Sequence, residues 1–109
     1  MSEAFPPFLK WGSYKSEDQD NPDKIKVQVT DTETFETEYG VNVNALVDGV
    51  EMALPLHNFN STNTALLNLW NNNIKNKKIK KGAKFTLCTY LGLSKNNRKI
   101  RRWVMEFNS

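Results

Sequence analysis

Hydrophobic periodicity narrows the fold of this chain more than any other feature. Five segments alternate apolar and polar side chains with a period of two, and a helical period occurs only between the third and fourth. In the first segment Ile25, Val27 and Val29 share one side, with Lys26, Gln28 and Thr30 on the other. Residues 31–34 (DTET) read as a turn. Phe35, Thr37, Tyr39, Val41 and Val43 then alternate with Glu36, Glu38, Gly40, Asn42 and Asn44, and Gly40 is expected to mark a bulge. Asp48-Gly49 predicts a tight hairpin, because both residues tolerate positive φ. A third strand follows through Val50, Met52, Leu54 and Leu56, with Pro55 expected at its end or on a sheet edge.

Leu66, Leu67, Trp70 and Ile74 fall at spacings of three and four, predicting a helix capped by Ser61 or Thr62 and fraying through the asparagines at 71–73. Gly82 closes the connection to a fourth strand in which Phe85, Leu87, Thr89 and Leu91 face inward and Lys84, Thr86, Cys88 and Tyr90 outward. The turn-forming run 92–99 (GLSKNNRK) leads into a last strand at 100–107. The expected core is Ile25, Val27, Val29, Val41, Val43, Met52, Leu54, Phe85, Leu87 and Val104, with Leu66 or Leu67 and Trp70 sealing one end. At the front, residues 1–7 read as a tail and 8–14 (FLKWGSY) as a short edge strand whose Trp11 and Tyr14 are expected to plug one end of the barrel, with base stacking as their alternative role.

With 109 residues the chain has the length of one domain: a tail and possible edge strand over 1–23, then a single β domain over 24–109. No apolar run approaches the roughly 20 residues that span a bilayer, and the start lacks the charged-then-apolar pattern of a signal peptide, so a cytoplasmic location without membrane attachment is expected. Cys88 and His57 are each the sole residue of their type. An internal disulfide, a cysteine-based zinc cluster or a catalytic triad therefore lacks its partners. Asp31, Glu33, Glu36 and Glu38 do not have the ligand spacing of a Ca²⁺ loop, and there is no glycine-rich phosphate loop. No catalytic residue, metal or cofactor is expected, and the chain is not read as an enzyme.

Charge is divided along the chain. Residues 1–54 hold 4 basic and 11 acidic side chains (net −7), and residues 55–109 hold 11 basic and 1 acidic (net +10). Such asymmetry suits a polyanion-binding surface. The last two strands concentrate it: Lys84, Lys95, Arg98, Lys99, Arg101 and Arg102 are the expected phosphate contacts, interleaved with Tyr90 and Trp103 as the leading base-stacking rings. Trp103, in phase with Met105 and Phe107, also suits the core. The expected partner is single-stranded DNA or RNA, bound with little sequence specificity. The alternative is a protein-interaction module whose acidic half docks a basic partner or a second copy of the chain.

The element order, three strands, a helix and two strands, resembles that of the OB-fold. The residues carrying the resemblance are Asp48-Gly49, the helix after 54–56 (LPL) and the approach at 79–82 (IKKG) into the fourth strand, and it covers about 24–107. The resemblance implies an all-β, five-stranded barrel with one short helix. It also implies single-strand binding on the second and third strands and the loops joining strands one to two and four to five. The second of those loops, 94–99, fits a phosphate-binding role. In the first, Asp31 and Glu33, with Glu36 and Glu38 beside them, would repel phosphate, which shifts the expected surface to the last two strands and residues 75–84.

Overall fold

The computed structural model describes residues 8–107. Five strands form one antiparallel sheet in the order β3-β2-β1-β4-β5: β1 (Asp23–Glu36), β2 (Gly40–Val47), β3 (Val50–Asn58), β4 (Lys84–Leu93) and β5 (Lys99–Phe107). Among the described residues one α-helix, α1 (Ala65–Lys75), lies between β3 and β4 in sequence and packs against β3 and β5. The sheet is open, since β3 and β5 are its two edges, so the closed barrel expected from the sequence is replaced by a seam between them.

Side chains and the N-terminal segment occupy that seam. The Leu9 amide donates to the Ala53 carbonyl of β3, Trp11 Nε1 donates to the Pro55 carbonyl at 3.0 Å, and Asn63 Nδ2 donates to the Arg101 carbonyl of β5 at 3.0 Å. These bonds take up edge acceptors that strand pairing would otherwise use. Pro55 has the orientation of Ala53, two residues earlier, so its missing N–H faces the seam and costs the β2–β3 ladder nothing. The expected edge strand at 8–14 shrinks to one parallel bridge, Phe8 to Ala53, followed by a 3₁₀ turn, Trp11–Ser13. The expected tail at 1–7 lies outside the described residues.

The first hairpin differs from its expectation. β1 continues through 31–34, where its pairing with β2 jumps from Val29↔Ala45 to Thr34↔Val43. The DTET signal is real but local: Asp31 Oδ1 accepts from the Glu33 amide at 3.0 Å, an Asx turn set inside a bulged strand. The chain reverses after Glu36, where Thr37 and Gly40 exchange backbone hydrogen bonds and Thr37 Oγ1 accepts from the Tyr39 amide. Gly40 lies one residue from an irregularity in the β2–β3 ladder, where pairing jumps from Val41↔His57 to Asn42↔Pro55, and it also permits close approach, because a Cβ there would overlap the His57 carbonyl oxygen of β3. The second hairpin forms at Asp48 (φ 50°) and Gly49 (φ 84°), both in the left-handed region.

Ile25, Val27, Val29, Val43, Leu54, Leu66, Trp70, Phe85 and Leu87 are buried together in one core that includes Leu9, and Val41 is buried as well. Met52 and Leu67 are half-buried against it. Val104, expected in this core, is 48% exposed, because β5 turns Trp103, Met105 and Phe107 inward and pairs Val104 with Cys88 on the outer face. The α1 cap also differs. Ser61 and Thr62 precede the helix, Thr64 is the N-cap without a side-chain cap bond, and Asn63 Oδ1 accepts from the Ala65 amide. At the other end the Lys77 amide bonds the Ile74 carbonyl and the Lys78 amide the Asn73 carbonyl, with Lys77 at φ 63°, a Schellman arrangement. Asn73 is buried and supports the helix from inside, its Nδ2 donating to the Leu69 carbonyl at 2.8 Å.

Candidate nucleic-acid interface

The β4–β5 tip is built around one hydroxyl. Ser94 Oγ accepts from the Asn96 and Arg98 amides, and the Ser94 amide donates to the Arg98 carbonyl at 2.8 Å. Asn97 takes φ 59°, a left-handed position that asparagine tolerates well. This ordered turn leaves Lys95 and Arg98 exposed, with Lys99 at the start of β5. Lys99 Nζ is engaged by Glu17 Oε2 at 2.8 Å, an exposed ion pair between the tip and the N-terminal segment.

Behind the tip the seam opens into a cleft of about 620 Å³. Its walls come from the end of β3 (His57, Asn58), the approach to α1 (Thr62, Asn63), the N-terminal Trp11, and the tip and β5 (Arg98 through Arg101, Trp103). Among the described residues no carboxylate lines it, while Arg98, Lys99 and Arg101 do. Trp11 and Trp103 meet edge to face at 5.5 Å, and at the mouth His57 meets Phe59 similarly at 5.8 Å. The volume falls in the roughly 300–1,000 Å³ range of sites for small organic groups.

The structure separates the eight residues expected at the site. Arg98 and Lys99 line the cleft, while Lys95 is exposed on the same turn without lining it. Arg101 points inward: Nη1 donates to Thr89 Oγ1 of β4 at 3.1 Å, which fixes the guanidinium on the sheet, and Nη2 donates to the Tyr14 carbonyl at 2.7 Å, which holds the N-terminal segment to it. Burial pulls its guanidinium below its ordinary pKa, against an opposing pull from Asp23. Trp103 is half-buried against the core and forms a wall of the cleft, its Nε1 buried without a hydrogen-bond partner among the described residues.

Tyr90 and Arg102 pair across β4 and β5 on the outer face. Tyr90 lines a shallow depression there that also holds Asp20 and Glu106. On the same face burial, then Glu106, raises the Cys88 thiol pKa, which keeps it protonated. Lys84 starts β4 opposite Gln28, about 30 Å from the tip along the strand, and is not brought to the cleft.

Trp11, His57, Asn58 and Asn63 are cleft residues that sequence periodicity does not mark, because they come from three segments outside the basic hairpin. Pro55, the edge-strand signal, is the nearest pointer.

A second groove, of about 850 Å³, lies on the far side of residues 8–9. It is lined by Asp31, Glu33, Glu36 and Glu38 together with Phe8, Phe35 and Tyr39. Leu9 faces the basic cleft and Phe8 the acidic groove, so the N-terminal segment divides two surfaces of opposite charge.

Compared with protein-family models, curated proteins and solved structures, the chain matches none.

Proposed function

We propose that this protein binds single-stranded nucleic acid with little sequence specificity, as an OB-type domain using the β4–β5 tip and the seam cleft behind it. The carrying observation is that cleft: lined by two tryptophans, a histidine, Arg98 and Lys99, and by no carboxylate among the described residues, with Lys95 exposed on the adjoining turn. The strand order β3-β2-β1-β4-β5, with the helix between β3 and β4, supports the OB reading. The tip cations hold phosphates, and bases lodge against the Trp11 and Trp103 walls and the His57–Phe59 pair at the mouth. Tyr90 ranks below these rings, because Asp20 and Glu106 beside it repel a phosphate backbone. Nothing in this chemistry reports on the sugar, so DNA and RNA are both ligands of the proposed site.

The test is a titration with labelled single-stranded and duplex oligonucleotides over a salt series. If Lys95, Arg98 and Lys99 neutralise three phosphates, log K should fall against log salt with a slope of about −2 for single strands. Arg98→Ala should flatten that slope while leaving thermal stability unchanged, since Arg98 is exposed. Wild-type protein that binds no single strand at low salt would overturn the reading. A second reading, a protein-interaction module, is favoured by the acidic groove, whose carboxylates and aromatic rings suit a basic partner or a second copy. Retention of a Lys- and Arg-rich peptide, lost in Glu36→Gln/Glu38→Gln, would support it.

A further inference from the structure

We infer that the outward face of α1 continues the strand path begun at the cleft, so that a single strand leaving the tip runs over Asn68, Asn71, Asn72 and Lys75. The inference rests on the single-strand reading above and extends it to the length of strand held. Those four residues lie at i, i+3, i+4 and i+7 and are all exposed, which places them on one helical face. The face is continuous with the cleft: Asn63, two residues before α1, lines the cleft and bonds the Arg101 carbonyl. At the helix's other end Asn73 reaches Met105 Sδ at 3.6 Å, so α1 follows β5 away from the tip. Lys77 and Lys78 then extend the basic character past Lys75.

Charge fits the same occupant. Residues 52–105 contain no Asp or Glu, so neither the cleft walls nor α1 carries a carboxylate of its own. An ordinary solvated helix face mixes both signs, whereas this one offers amides and cations only. Helix propensity does not account for asparagines on this outward face, since asparagine is a poorer helix former than alanine. Asn73 has a structural task, but the Asn71 and Asn72 side chains make no hydrogen bond among the described residues, and Asn68 makes one, to Thr64 Oγ1. Each free amide presents a donor and an acceptor, the pair that base edges complement. An 11-residue helix is about 16 Å long, which at roughly 3.4 Å per stacked nucleotide adds about five nucleotides to those held at the tip.

The experiment is a length series of labelled oligothymidylates and oligouridylates, from about four to about twelve nucleotides, within the site sizes such domains cover. It uses the wild-type chain, Lys75→Gln and the triple variant Asn68→Ala/Asn71→Ala/Asn72→Ala. Alanine favours the helix, so the triple variant keeps the fold. Wild-type affinity should keep rising between four and about nine nucleotides. Lys75→Gln should lower the magnitude of the salt slope by about 0.7 on long strands and leave four-nucleotide strands unaffected. The triple variant should weaken long strands by about fivefold for each amide hydrogen bond removed and bind short ones normally. Affinity that levels off at four nucleotides, or variants matching wild type at every length, would overturn the inference while leaving the single-strand reading in place. No binding at any length would remove both.

Discussion

Arg98 and Arg101 look equivalent in a run of basic residues, yet the strand phase gives them opposite work. Trp103, Met105 and Phe107 face inward, so Arg101 shares their parity and turns its guanidinium towards Thr89 and Tyr14, while Arg102 faces out. The same phase puts Val104 outside, a consequence readable from the sequence once Trp103 is placed in the core. Lys99 is different again, because the Glu17 carboxylate already occupies it. Both partners are more than half exposed, so the pair adds little stability, 1 kcal/mol at most by the usual range of about 0–1 kcal/mol. It does compete with phosphate. Glu17→Gln should therefore leave the melting temperature nearly unchanged, tighten single-strand binding and steepen its salt dependence. A variant with wild-type affinity across the salt series would show that Lys99 takes no part in binding.

Among the elements, those with an uninterrupted period formed as the sequence indicated: β3, β4, β5 and α1 with its buried Leu66 and Trp70, whereas the strand expected from Phe35 is divided, its first residues ending β1 and β2 starting at Gly40. The Asp48-Gly49 hairpin was equally legible, since two positive-φ residues leave the chain few other turns. The β1–β2 hairpin was not, because the Asx turn at Asp31 is a strong local signal that tertiary pairing absorbs into a bulge. The actual reversal depends on Gly40 for a reason that lies 17 residues away, at the His57 carbonyl. Replacing a strand glycine by alanine ordinarily gains roughly 0.5–1 kcal/mol, whereas Gly40→Ala should destabilise, because backbone must move to admit the Cβ. The opposite outcome is expected at Lys77, whose positive φ closes α1. Lys77→Gly relieves left-handed strain of the order of 1 kcal/mol and should raise or preserve the urea midpoint. Equal effects of the two substitutions would contradict both assignments.

At the scale of the whole molecule the question is what covers the two sheet edges, since an open sheet exposes rows of backbone groups that pair with other chains. Here the segment from Phe8 to Glu17 crosses from one edge to the other. It bonds Ala53 and Pro55 on β3, buries Leu9 in the core, sets Trp11 edge to face with Trp103, and meets Arg101, Leu91 and Lys99 on the far side. The cleft was illegible in the sequence for this reason: its walls combine residues near 11, 57, 63 and 100, which no local period links. Seam and site thus depend on one segment. Leu9→Ala should destabilise the protein by about 2–5 kcal/mol through reduced burial and a cavity, read as a lower urea midpoint. Deleting residues 1–17 should go further, uncovering both edges and producing concentration-dependent association in size-exclusion chromatography. A deletion variant that stays monomeric with an unchanged midpoint would show that the sheet closes its own edges and that the N-terminal segment merely rests on it.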